Sequence, residues 1–281
     1  MSQFLILGGT GKVGSRIAQI LLSNGHTVRV ASRRSALRFD WHDESTWAPS
    51  LDGSSGVFIV GPGSASDWSP LLSRFLDMAA SAGVERAVLL SARGVEFLPD
   101  GAVARAEAAL QHGPVPWVIL RPTHFAQNFT EAMFVPIDGA VRAPVGNGRQ
   151  PFIDVQDIAE VAAAALTSGA FDRRILELSG PNAISFDHAA EVLSRVSQSH
   201  VHFEDQSDDA HVAELRATGT PEGYVEWRMA MLGGIRSGQD AYVSGDHIQE
   251  VLGRPATSFE TWARREVPSS GWATAKTDPP A

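Results

Sequence analysis

The chain alternates short, almost unbroken apolar runs with longer stretches in which apolar residues return every three or four positions. Phe4–Leu7 reads as a strand and Gly11–Asn24 as a helix. Thr27–Ala31 and Leu37–Asp40 read as further strands, then Gly56–Val60 as a strand and Pro70–Ala82 as a helix. Arg86–Ser91 follows as a strand, Ala102–Gln111 as a helix and Trp117–Leu120 as a strand. This alternation implies βαβ crossovers and a parallel sheet. GVFIV, AVLL and WVIL lack polar alternation, as expected of strands buried on both faces.

The second half is less regular. Val155–Leu166 predicts an alanine-rich helix begun at Asp154, and Arg174–Leu178 a late strand returning to the main sheet. Ser185–Val196 predicts a helix and Val201–Phe203 a short strand. Asp208–Thr218 and Pro221–Ile235 form a predicted helix pair suited to capping a pocket, and Asp246–Leu252 and Ser258–Arg265 close the helical part. The boundary between halves is expected near residue 130, and residues 268–281 have the composition of a disordered tail.

One motif gives this pattern a ligand. Gly9-x-Gly11-x-x-Gly14, which also fits Gly8-x-x-Gly11-x-x-Gly14, follows a strand and opens a helix. Such glycines allow a tight turn, close approach of backbone to a pyrophosphate, and close helix–strand packing. The helix N-terminus adds N–H groups and a positive dipole. The end of the second strand selects the cofactor. Where an acidic residue would bind a ribose 2′-hydroxyl stands Ser32, followed by Arg33 and Arg34. Guanidinium groups bind a 2′-phosphate, so NADP(H) is expected over NAD(H).

Composition narrows the rest. The 281 residues, 43% hydrophobic, are enough for one large or two small cores. A net charge of −9 gives no general attraction to nucleic acid or an anionic membrane, and no apolar run is long enough to span one. A cytoplasmic protein with a small-molecule substrate is the expectation. With no cysteine there is no disulfide, thiolate nucleophile or cysteine metal site. His200-x-His202 lacks an obvious third ligand, so no metal is expected.

GGTGKVGSRIAQILLSNGHTVRVASRR, RFDW, VERAVLLSA, PWVILRPTHFAQNF and PFIDVQDIAEVAAAAL together resemble the NmrA-like branch of atypical short-chain dehydrogenases/reductases. Within it the chain is similar to the clavine dehydrogenase-like and triphenylmethane reductase-like groups, over about residues 3–265. The resemblance implies an α/β fold, a Rossmann-like doubly wound parallel sheet with a smaller C-terminal subdomain covering the substrate. The NADP-binding part would span residues 1–130 and the substrate part 131–267. By motif position Gly8, Thr10, Gly11, Lys12, Val13 and Gly14 would line the pyrophosphate, and Asp40 and Trp41 the adenine. Val60, Gly61 and Pro62 would pass the riboses, Ser91 would approach the nicotinamide, and Pro122 to Phe125 would border nicotinamide and substrate.

The wider superfamily commonly uses Tyr-x-x-x-Lys, which is absent. Neither Tyr224 nor Tyr242 is followed by a lysine at that spacing, and the chain has only Lys12 and Lys276. The helix expected to carry the pair reads AVARAEAALQ, with Glu107 its one acidic group. Acceptors that need little protonation are therefore favoured: an electron-poor polycyclic or aromatic ketone, quinone or iminium of secondary metabolism, an angucyclinone-type polyketide ketone among them. Ser91 and His124, each at a strand end, are candidate catalytic groups. Ser91 either bonds a carbonyl oxygen or caps a loop, and His124 either donates a proton or is structural. Phe97, Phe125, Phe129, Phe134, Trp227 and Met231 are either pocket wall or core, and Gln127 and Asn128 either orient a substrate or bond backbone. Asp154 and Asp157 are expected to cap a helix, and Arg121 to sit in an ion pair. The competing reading is an NADP-binding redox sensor that acts through a protein partner without catalysis.

Overall fold

The computed structural model describes residues 2–62, 66–244 and 246–274. Among the described residues the strands are β1 Gln3–Leu7, β2 Thr27–Ser32, β3 Leu37–Arg38, β4 Gly56–Ile59, β5 Arg86–Leu90, β6 Trp117–Pro122, β7 Ala140–Ala143, β8 Arg149–Gln150, β9 Arg174–Leu178, β10 Ile184–Ser185 and β11 His202–Asp205. The helices are α1 Lys12–Ser23, α2 Trp47–Leu51, α3 Ser69–Ser81, α4 Ala102–Gln111, α5 Asn128–Glu131, α6 Val155–Thr167, α7 Phe186–Ser197, α8 Asp208–Ala217, α9 Glu222–Arg236, α10 His247–Leu252, α11 Phe259–Glu266 and α12 Gly271–Thr274.

Two compact units share the chain. The first comprises residues 1–122, 155–178 and 245–254, and the second comprises 123–154, 179–244 and 255–281. The first unit is a seven-stranded sheet in the order β3-β2-β1-β4-β5-β6-β9, and every adjacent pair is parallel. The order reverses between β1 and β4, which makes their C-terminal ends the topological switch point where such sheets bind ligands.

The alternation of side chains explains the layers. Leu5, Leu7, Val57, Ile59, Ala87, Leu89 and Ile119 all join one cluster with Trp47, Phe75, Leu76 and Leu110 of α2, α3 and α4. The intervening Ile6, Phe58, Val88 and Val118 point to the opposite face and are equally buried. Alanines at 159, 162, 163 and 165 give α6 a thin buried side. It packs against α1 and across β4, β5 and β6. Helix α6 thus belongs to the first unit, not to the second half where its position in the chain suggested it. The crossing at Pro122–Thr123 comes ahead of residue 130 because β6 ends there.

The second unit pairs β7 with β11 in parallel and β8 with β10 in antiparallel fashion. Its core is aromatic: Phe129 meets Phe152 edge-on at 4.9 Å, and Phe134 meets Phe186 at 5.0 Å. The strand expected at Val201–Phe203 runs instead over His202–Asp205, where it pairs with β7. The expected tail is partly ordered. Ser270 is buried, and Trp272 Nε1 donates to the Phe129 carbonyl at 2.9 Å. Residues 275–281, including Lys276, lie outside the described residues.

Candidate cofactor and active site

The turn after β1 is shaped by backbone contacts. Gly8 sits at φ +65°, and its carbonyl accepts from Gly11 N at 2.8 Å. A Cβ on Gly14 would stand 2.5 Å from that carbonyl and 2.8 Å from Gly9 Cα. The third motif glycine therefore lets α1 press against the turn. Gly11 is the N-cap of α1 and offers no side-chain cap, so the first-turn N–H groups point outward as an anion site. Val13 is buried, which leaves only its backbone to face a phosphate. Lys12 is half-buried, and its carbonyl accepts from Arg16 at 2.9 Å.

A cavity of about 670 Å³ opens at the switch point. From the turn it takes Gly8, Thr10 and Gly11, and from the end of β2 it takes Ser32, Arg33 and Arg34. Asp40 and Trp41 form one wall, and Val60, Gly61 and Pro62 another. Eleven of the residues expected at the cofactor thus share one cavity. Lys12, Val13, Gly14 and Pro122 do not line it. Pro122 instead closes β6, where its carbonyl accepts from Arg93 N at 2.9 Å. Leu7, Phe39 and His42 line the cavity and were not foreseen. The signal for His42 was available, since it follows Asp40 and Trp41 directly.

Side-chain roles in this cavity are divided. Ser32 Oγ accepts from Arg34 N at 3.2 Å and from Ser35 N at 3.0 Å, so it builds the turn that carries the arginines. Arg33 and Arg34 are exposed, and neither guanidinium has an ion-pair partner among the described residues. Trp41 Nε1 donates to the Val60 carbonyl at 2.9 Å, and its ring lies 5.0 Å from Trp68. Trp41 is therefore mainly a core residue that presents an edge to the cavity. A dinucleotide suits these residues: a tight glycine turn, uncapped N–H groups and two unpaired guanidiniums.

At the ends of β5 and β6, Glu107 of α4 is buried and takes both neighbours. Arg121 donates to it through Nε at 3.0 Å and through an amino nitrogen at 2.5 Å. The Ser91 hydroxyl also donates to Glu107. The expected ion pair of Arg121 is present. Ser91, however, directs its proton into this cluster, and donation to a carbonyl would require its hydroxyl to rotate away.

The other candidates belong to the second unit, apart from Asp157 on α6 and Phe97, which is half-buried in a short turn of the first. The Gln150 side-chain amide and His124 Nδ1 lie 3.2 Å apart, within hydrogen-bond distance. Phe125 is half-buried and pairs with Ile153 through a backbone bridge. Asn128 is buried, and Phe129, wholly buried, belongs to the aromatic core, not to a pocket wall. Met231 is buried too, while Trp227 is half-buried beside Tyr224 at 5.5 Å. Gln127 donates to Asp154 at 2.8 Å, and Arg265 holds the other Asp154 oxygen at 2.7 Å. Asp157 takes Arg254 at 2.8 Å. Both aspartates thus hold arginines, a role the expectation of helix caps did not include. His200 and His202 stack at 5.3 Å, and no group of three metal-ligating side chains occurs among the described residues.

A family model described as NAD(P)H-binding matches residues 8–169, more than half of the chain. The chain belongs to this NAD(P)H-binding family. Relatives within it are named as oxidoreductases. Agroclavine dehydrogenase of Claviceps fusiformis is 34% identical over 274 residues, covering 91% of this chain and 94% of its own. The uncharacterized oxidoreductase YesF of Bacillus subtilis is 32% identical over 270 residues, covering 92% and 93%. The fold matches the Citrobacter sp. triphenylmethane reductase complexed with NADP(H) at a TM-score of 0.71 and 19% identity, covering 94% of this chain and 99% of that one. The protein is an NAD(P)H-binding oxidoreductase. No helix of the described residues is long and apolar enough to cross a membrane.

Proposed function

We propose that the protein is an NADPH-dependent reductase of an electron-poor polycyclic or aromatic ketone, quinone or iminium in secondary metabolism. The observation that carries this reading is the state of its two polar candidates. Ser91 gives its proton to Glu107, and His124 is engaged by the side-chain amide of Gln150. The helix bearing Glu107 has no tyrosine or lysine to serve as the acid. An acceptor activated by its own electron deficiency suits such a site, whereas a simple ketone does not. The relationship to agroclavine dehydrogenase, at 34% identity over nearly the whole chain, supports an iminium or polycyclic acceptor.

Cofactor choice follows from charge. Arg33 and Arg34 flank the cavity with unpaired guanidiniums, suited to a 2′-phosphate. NADPH, when bound, supplies the hydride. The first turn of α1 would hold its pyrophosphate.

The test is NADPH consumption with purified protein and a panel of iminium salts, quinones and hydroxyaryl ketones. Turnover with NADPH, and at least ~10-fold less with NADH, is expected. Tight NADP binding without turnover on any member would instead favour the sensor reading.

A further inference from the structure

The ends of β5 and β6, both in the first unit, hold a side-chain cluster with a fixed direction of donation. Glu107 is buried, and Arg121 donates to both of its carboxylate oxygens, through Nε at 3.0 Å and through an amino nitrogen at 2.5 Å. The Ser91 hydroxyl donates to the oxygen that also takes Arg121 Nε. A guanidinium only donates and a carboxylate only accepts, so neither can reverse this order. A hydroxyl has one proton and two lone pairs, and the bond to Glu107 uses the proton. No group among the described residues donates to Ser91 Oγ, and the residue is half-buried, not sealed off. Toward a ligand, Ser91 is therefore an acceptor.

The sheet sets that acceptor at one end of the cofactor site. A doubly wound sheet binds a dinucleotide across the strand ends of two mononucleotide-binding halves. Here β1 to β3 form one half, which carries Arg33 and Arg34 into the cavity. Strands β4 to β6 form the other, and Ser91 directly follows its middle strand, β5. The last pair of the β4–β5 register is Ile59↔Leu89. Two residues farther on, the same register sets Gly61, which lines the cavity, alongside Ser91. From β2 to β5 the sheet crosses three strand spacings, about 14 Å. A dinucleotide laid across the strand ends from the arginines thus brings its nicotinamide to the end of β5.

The nicotinamide ring carries one hydrogen-bond donor, the amide N–H group of its carboxamide. We propose that Ser91 Oγ accepts from this carboxamide and so fixes the orientation of the ring. Glu107 is a positioning residue that holds the serine proton away from the cofactor, and Arg121 holds Glu107. Ser91 then serves the cofactor and not the protonation of a substrate. The inference holds whether the bound cofactor is turned over or only sensed, so it does not rest on the reductase reading.

The 3-acetylpyridine analogue of NADP has a methyl in place of the amide nitrogen, so its ring keeps a carbonyl and loses the N–H donor. Both dinucleotides are titrated into the purified protein by calorimetry. The wild type is expected to bind NADP ~10-fold tighter than the analogue, the scale of one hydrogen bond. In Ser91→Ala that ratio falls to about 1, whereas Ser91→Thr, which keeps a hydroxyl, retains it. In Glu107→Gln, Arg121 takes the amide oxygen and the new N–H turns toward Ser91, whose proton then points outward. The ratio falls to about 1 there although the serine is intact, a change that a serine acting by shape alone would not show. If Glu107→Gln fails to give a folded melting curve, the two Ser91 variants decide the bond. A ratio near 1 in the wild type, or one unchanged in Ser91→Ala or in a folded Glu107→Gln, would overturn the proposal and leave Ser91 as an internal tie between β5 and α4.

Discussion

The two units build their polar sites in opposite ways. In the first, the site is backbone: a glycine turn, the uncapped start of α1 and a strand end that sets out two consecutive arginines. In the second, it is side chains gathered from separate elements: His124 with Gln150, and His211 with Gln206 and Glu214. A backbone site suits a ligand with fixed, dense charge such as a pyrophosphate. A side-chain site can be re-cut by a few substitutions and suits a ligand that varies.

The largest expected effect probes the anchor of the first unit. Glu107→Gln leaves Arg121 without its charge partner in a mostly buried place and should destabilise the fold by about 3 kcal/mol in urea unfolding. A loss below about 1 kcal/mol would mean that the cluster is not the rigid support described. Next comes Gly14→Ala. Its methyl would collide with backbone, not with a side chain that can move aside, so a cost of about 2 kcal/mol is expected. Weaker NADPH binding by fluorescence titration should accompany it. Unchanged affinity would break the claim that the site is backbone.

Smaller effects sharpen the comparison. Arg33→Ala and Arg34→Ala should each reduce NADPH affinity by ~10-fold, about 1.4 kcal/mol, and leave NADH affinity almost untouched. Equal losses for both cofactors would remove the 2′-phosphate from the account. The smallest effect lies in the second unit. The folded-state pKa of His211 is below its ordinary value of 6.5 because of burial, so the unfolded chain takes up this proton first as pH falls. Its contribution is present above pH 6.5 and is lost as pH falls toward the folded value. Melting curves at pH 7 and pH 5 should show this loss in the wild type and a smaller one in His211→Leu.

Legibility in the sequence followed the same division. The strands of the sheet and the glycine turn were readable because their signals are local: an apolar run, a spacing, a strand end. The returning strand β9 was readable for that reason as well. Phe129 looked like a pocket wall because one sequence cannot tell an aromatic that faces a ligand from one that faces Phe152 and Phe259. The Gln206–Glu214–His211 arrangement was not visible, since it depends on which way an amide turns once α8 is formed. Helix α6 was assigned to the wrong unit because chain order does not show which sheet face an alanine-rich helix covers. Ser270 and Trp272 were read as tail because the small, polar and proline-containing composition around them hid two anchoring contacts.

The most direct measurement uses NADPH carrying deuterium at the transferable position of its nicotinamide, with a quinone or a clavine-type iminium as acceptor. The account predicts NADPH oxidation matched by reduction of the acceptor, with deuterium delivered to carbon in the iminium product. Tight NADPH binding with neither oxidation of the cofactor nor label in any product would contradict it.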